Sequence, residues 1–155
     1  MNDTEEYNGA SWTAGGNYPT GTYYAEGFGT QTAGLGAGGF PNLTTSCEYD
    51  GSSWTAGNSM NTGRYSGAGC GIQTSSLFIG GFITSGAGRV ANVESYNGTS
   101  WSSGGAMSTA RGYQTGGGLQ DDFTVGGGLT PSYVSNTERY NGVSWCTVTP
   151  QPYNT

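Results

Sequence analysis

The chain has 155 residues, enough for one domain, with four Arg, no Lys, no His, ten acidic residues and a net charge of −6. That balance excludes the basic surface nucleic acid requires and disfavours anionic membranes. No apolar run approaches the ~18 residues of a bilayer span, and the acidic start Met1-Asn2-Asp3-Thr4-Glu5-Glu6 is not a secretory signal.

The first element is a hairpin at Tyr7-Asn8-Gly9-Ala10-Ser11-Trp12. Asn-Gly is the strongest two-residue turn signal, because a type I′ turn needs positive φ at both positions. A two-residue turn sets Tyr7 opposite Ala10, Glu6 opposite Ser11 and Glu5 opposite Trp12. Side chains alternate, so Glu5, Tyr7, Ala10 and Trp12 share one face. The signature returns at Tyr49 to Trp54, Tyr96 to Trp101 and Tyr140 to Trp145, with Asp50-Gly51 as the equivalent turn in the second copy. The tryptophans are 42, 47 and 44 residues apart, a period that marks stacked or circularised supersecondary units.

Between hairpins the chain predicts two further strands per unit. One covers about 22–29, 64–71 and 111–118 and is rich in small residues, which let backbones approach closely. The other ends at a double glycine: Gly38-Gly39, Gly80-Gly81 and Gly127-Gly128. Gln31, Gln73 and Gln120 each fall nineteen residues after a Trp and read as turn-holding amides. Met60 and Met107 recur six after Trp, and Arg64 and Arg111 ten after; the first unit has Tyr18 and Thr22 there. All length variation lies in the loops 40–46, 82–92 and 129–136, as in a rigid repeat with one exposed connection. No stretch has a helical period or helix-forming composition. The 31 Gly would suit a linker, but regularly placed aromatics at 13% are what disordered segments lack.

The aromatic face of each hairpin needs a cover, and the expected cover is the next copy of the unit. Glu94 and Glu138 recur beside Tyr on that face and are expected to pair with an Arg of an adjacent blade; Cys47 takes this place in the second copy. The three cysteines, Cys47, Cys70 and Cys146, occupy non-equivalent positions and read as strand filler, with one disulfide left open.

The order of small-residue strand, apolar strand ending in Gly-Gly, variable loop, Tyr strand, tight turn, Trp strand and Met-x-x-x-Arg resembles the kelch repeat. Gly80-Gly81, Tyr96, Trp101, Met107 and Arg111 carry the likeness, which covers nearly the entire chain. It departs in the Tyr-to-Trp spacing of five, longer in most kelch units. The resemblance implies an all-β fold of four-stranded β-propeller blades. The boundaries expected are an N-terminal hairpin over 1–15, blades over 20–57, 62–104 and 109–148, and a tail over 149–155. Three blades and a half do not close a ring of four to eight. Homo-oligomerisation or docking within a larger particle is therefore expected, the simplest form being two chains in one ring.

Without His there is no Ser-His-Asp or Cys-His mechanism, no His-based zinc site and no copper site like that of kelch-like galactose oxidase. Without Lys there is no Schiff base or P-loop. No catalytic residue, metal or cofactor is expected, and Asp121-Asp122 reads as an exposed polar turn rather than a glycosidase pair or calcium site. The wording Tyr-Asn-Gly-x-Ser-Trp-Thr also looks like Gly-rich tandem repeats in tail and appendage proteins of marine bacteriophages. That likeness implies a virion or extracellular location and a structural or adhesive role, against the alternative of a soluble multivalent glycan-binding propeller. Candidate contacts with a host surface, a cell-surface glycan or neighbouring subunits are Asn42, Arg89, Asp121, Asp122 and Tyr133 in the connections.

Overall fold

The computed structural model describes residues 2–83 and 88–149, which contain strands and no helix. Strands β1 (Glu5–Tyr7) and β2 (Trp12–Ala14) form a two-stranded hairpin. Three four-stranded antiparallel sheets follow in chain order. The first comprises β3 (Glu26–Thr30), β4 (Ala33–Ala37), β5 (Ser46–Tyr49) and β6 (Trp54–Ala56). The second comprises β7 (Ala68–Ile72), β8 (Ser75–Ile79), β9 (Val93–Tyr96) and β10 (Trp101–Ser103). The third comprises β11 (Thr115–Leu119), β12 (Asp122–Gly126), β13 (Thr137–Tyr140) and β14 (Trp145–Val148). Sheets of this kind, stacked in sequence, are compatible with propeller blades. Residues 84–87 of the second variable loop and 150–155 of the expected tail lie outside the described residues.

The signature hairpins are two residues out of the expected register. Tyr7 pairs with Trp12 and Glu5 with Ala14, and Tyr49, Tyr96 and Tyr140 pair likewise with Trp54, Trp101 and Trp145. The turn therefore spans four residues, and its cause is the Asn side chain. Asn8 Oδ1 accepts from the N–H groups of Ala10 and Ser11, both at 2.9 Å. Asp50, Asn97 and Asn141 do the same in their turns. Only the Gly adopts positive φ, 95° at Gly9, whereas a type I′ turn needs two such residues. A slip of two residues leaves every side chain on its expected face.

Consecutive sheets bury apolar faces against one another. Phe28, Leu35 and Ala37 of the first sheet meet Phe78, Tyr96 and Trp101 of the second, with Met60 between them. Ala68, Cys70, Leu77, Ile79 and Val93 of the second meet Phe123 and Val125 of the third, with Met107 between. The aromatic pair of each hairpin is thus covered by the preceding module, not the next one. Phe28 and Leu35, apolar residues on the far face of the preceding sheet, receive it. Burying each such ring contributes roughly 2–3 kcal/mol. Tyr7 and Trp12 have no preceding module among the described residues and are 46% and 64% exposed.

The inner strands β3, β7 and β11 neighbour one another, and their small residues permit that approach. A Cβ on Gly69 would come within 2.1 Å of the Phe28 ring. The double glycines have a separate cause. Gly80 and Gly81 both have positive φ, and a Cβ on Gly80 would stand 2.8 Å from the carbonyl oxygen of Arg111. Gly81 N–H donates to that carbonyl at 2.9 Å, so the pair ties the end of one sheet to the entry of the next.

Candidate functional site

The recurring Glu and Arg form buried structural joints. Arg64 is fully buried and donates to the carbonyls of Asn92 (3.1 Å) and Phe78 (3.2 Å). It lies 3.2 Å from Glu94, itself 2% exposed. Glu94 also accepts from the N–H groups of Asn61 and Thr62 at 2.7 and 3.1 Å. Burial pushes the Arg64 guanidinium down to about 10, and Glu94 opposes that shift. Arg111 repeats the arrangement with Gly127, Asn136 and Glu138. Each Arg comes from the connection entering the same sheet as its Glu, not from an adjacent blade. The reason is reach: that connection folds across the top of β8 and β9, or β12 and β13, and its Arg meets their carbonyls. Neither group is available to a ligand.

The glutamines join modules. Gln73 Nε2 donates to Gly34 O and Tyr49 O of the preceding sheet, and Gln120 Nε2 to Ser76 O and Tyr96 O. Gln31 faces the hairpin, which has no counterpart of β4 or β8, and bonds Glu6 instead. Along that free edge of β1 lies a cavity of about 520 Å³, lined by Glu5, Glu6, Phe28, Gln31, Trp54 and inner-strand glycines. A smaller cavity beside it holds Glu26, whose carboxyl burial pushes up to about 7.

The exposed chemistry gathers at the opposite end of the sheets, where the variable loops and the sheet-to-sheet connections run. Seven ring contacts link Phe40, Tyr23, Tyr24, Tyr65, Tyr113 and Phe82 into one aromatic surface. Tyr23, Tyr24 and Tyr113 are 55%, 54% and 51% exposed, over buried Tyr65 and Phe82. Tyr24, Ser66 and Tyr113 hold the same repeat position, and all have positive φ, at 61°, 51° and 54°. Such backbone costs a non-glycine residue about 1–3 kcal/mol. It is held by main-chain bonds that pass from module to module, Ser66 N–H to Tyr24 O at 3.1 Å and Tyr113 N–H to Ser66 O at 2.9 Å. Beneath the rings, buried Ser66 Oγ and Gln114 Oε1 have no hydrogen-bond partner among the described residues.

The loop candidates divide between the two ends. Arg89 belongs to the aromatic end, with its guanidinium 5.6 Å above the Phe82 ring. Asn42, at φ 137°, and Tyr133, 79% exposed, sit in connections of that same end. Asp121 and Asp122 lie at the other end, Asp121 in the turn from β11 to β12 and Asp122 as the first residue of β12. Arg139 takes both oxygens of Asp122 at 2.9 Å and holds its carboxyl below the usual range, so the two carboxylates do not converge. Cys47, Cys70 and Cys146 are free thiols on β5, β7 and β14. Sequence reasoning missed the aromatic end. Its signal was recurrence at positions unaligned with the Tyr–Trp signature: Tyr24 and Tyr113 twelve residues after Trp, Phe40 and Phe82 twenty-eight after.

No family model matches the chain, and no curated protein matches it. Solved structures resemble its fold, among them the one titled "Structure of YjhT", with a TM-score of 0.67 at 18% identity. That likeness covers 83% of this chain and 44% of YjhT, so the chain spans less than half of that protein's length. Among the described residues, no helix is long and apolar enough to cross a membrane.

Proposed function

We propose that this chain is a non-enzymatic adhesive repeat protein whose aromatic end binds carbohydrate on a cell surface. Its sheets are read as kelch-like propeller blades, completed into a ring by association with further copies. A bacteriophage virion or tail appendage is the setting that fits the Tyr-Asn-Gly-x-Ser-Trp repeat wording. The observation that carries the reading is the exposed Tyr23, Tyr24 and Tyr113 surface, in which Tyr24 and Tyr113 are held in costly backbone by module-to-module bonds. Large exposed rings beside polar groups are rarely kept without a partner. Tyrosine offers an apolar face for the C–H faces of a sugar and a hydroxyl for its edge. Repeated rings on one rigid surface suit repeated sugars.

A glycan array tests this directly. The expected result is binding to a subset of glycans that is lost in Tyr24→Ala and Tyr113→Ala and kept in Asp122→Asn at the far end. An array without hits, or hits indifferent to the two tyrosines, overturns the proposal.

A further inference from the structure

The contacts between modules follow one rule, and the two ends of the array carry its unmatched halves. Trp54 Nε1 donates to Thr4 Oγ1 of the preceding module at 2.9 Å, and Trp101 Nε1 to Ser46 Oγ at 3.2 Å. Thr4 and Ser46 hold the same repeat position, three residues before Tyr. The second sheet has Val93 there, and Trp145 Nε1 turns to Gly105 O instead. The tyrosines behave alike. The hydroxyls of Tyr49 and Tyr96 donate to Glu6 and Glu48, each immediately before the Tyr of the preceding module.

At the head, Tyr7 and Trp12 form the same ring pair as the covered copies, with centroids 5.1 Å apart against 4.9 to 5.2 Å, yet they are 46% and 64% exposed. At the tail, the hydroxyl position of the third sheet is Thr137. It is 6% exposed, its Oγ1 has no partner among the described residues, and it lines a cavity of about 310 Å³. Arg139 holds the tyrosine-acceptor position, with the Asp122 carboxylate bound to it.

The rest of the tail face is smaller and more polar than that of the second sheet. It carries Thr115, Gly117, Thr124 and Gly126, where the second sheet has Ala68, Cys70, Leu77 and Ile79. Those four apolar residues share a core with Phe123 and Val125, from the second strand of the following sheet. The β1–β2 hairpin has no such strand. At the positions of Phe28 and Leu35 the tail has Gly117 and Thr124, which leave open space for a ring pair, and it keeps a hydroxyl where the hairpin has an indole.

We propose that Tyr7 and Trp12 of one copy dock on the third-sheet face of a second copy. Trp12 Nε1 donates to Thr137 Oγ1, and the Tyr7 hydroxyl meets the Asp122 carboxylate. This rests on the reading of the array as completed by association, and it names the faces that associate. The contact is heterologous, joining a head face to a tail face, so it closes into a ring or propagates as a filament. Two copies hold about as many residues as the one YjhT chain, of which this chain covers 44%.

Native mass spectrometry and sedimentation over a concentration series test the contact. Trp12→Phe removes the indole N–H, and Thr137→Val removes the hydroxyl. Each is expected to weaken association roughly three- to tenfold, the worth of one neutral hydrogen bond. The double variant is expected to be no weaker than either single one. Trp12→Ala blocks the head and Thr124→Arg the tail, both at exposed positions where thermal melting reports an intact fold. Neither associates alone, whereas an equal mixture forms a heterodimer through the one intact contact. Association indifferent to these four substitutions, or a mixture without heterodimer, overturns the head-to-tail contact and leaves association standing. A monomer throughout the series overturns both readings.

Discussion

Removing the Glu94 carboxylate should cost more than removing both members of its ion pair. Arg64 has 0% exposure and Glu94 2%, at 3.2 Å. In Glu94→Ala the guanidinium keeps two carbonyl partners but loses its counter-charge, and the N–H groups of Asn61 and Thr62 lose their acceptor. Breaking a buried pair from one side costs about 3–5 kcal/mol. At about 2–4 °C per kcal/mol for a domain of this size, Tm falls by on the order of 10 °C. Arg64→Met leaves the carboxylate unpaired instead, at a similar cost. The double variant Arg64→Met/Glu94→Leu buries no charge, and it should lose at least about 2 kcal/mol less than the sum of the singles. The first module already has this arrangement, with Thr22 and Cys47 in the two places. Urea unfolding followed by tryptophan fluorescence gives all three values. Additive costs would refute the claim that the two charges act as one unit.

Other expectations follow from single sites. The Glu26 carboxyl, raised from 4.5 to about 7 by burial, binds its proton more tightly in the folded state. Its contribution is complete below the ordinary carboxylate range and is lost as pH rises through 7, on the order of 3 kcal/mol across the window. Glu26→Gln should flatten that slope in melts across pH, and an unchanged slope would disprove the assignment. Ser66→Gly relieves a left-handed backbone and removes an unpartnered buried hydroxyl, so chemical denaturation should show it more stable by about 1 kcal/mol. Gly69→Ala drives a methyl into the Phe28 ring and should destabilise by about 1–3 kcal/mol. Gly27→Ala, at the equivalent position with nothing within 4 Å, should leave unfolding unchanged.

Much of the architecture was legible because the repeat makes four comparisons within one chain. The alternation around Tyr96 and Trp101 assigned faces correctly even though the turn length was wrong, since a shift of two preserves parity. The turn itself was misread because Asn97 works through its side chain, an option the Asn-Gly pair shares with the type I′ turn. The direction of cover was illegible. Tyr49 reveals that it has an aromatic face, but not whether Glu6 or a later residue lies against it. The aromatic end was hidden for another reason. A tyrosine at position 24 or 113 gives no sign of positive φ, because the side chain does not favour it and neighbouring modules impose it. Ser66, equivalent to both, breaks the aromatic recurrence in sequence while keeping the same backbone.

The chain of bonds from Tyr24 to Ser66 to Tyr113 joins amide to carbonyl, with no side-chain atom taking part. The left-handed backbone at that position is accordingly the same for a serine as for a tyrosine. Tyr24, Ser66 and Tyr113 already share it within 10° of φ. Such an array can trade its outward groups one unit at a time, acquiring a new specificity while its main-chain bonds stay in place.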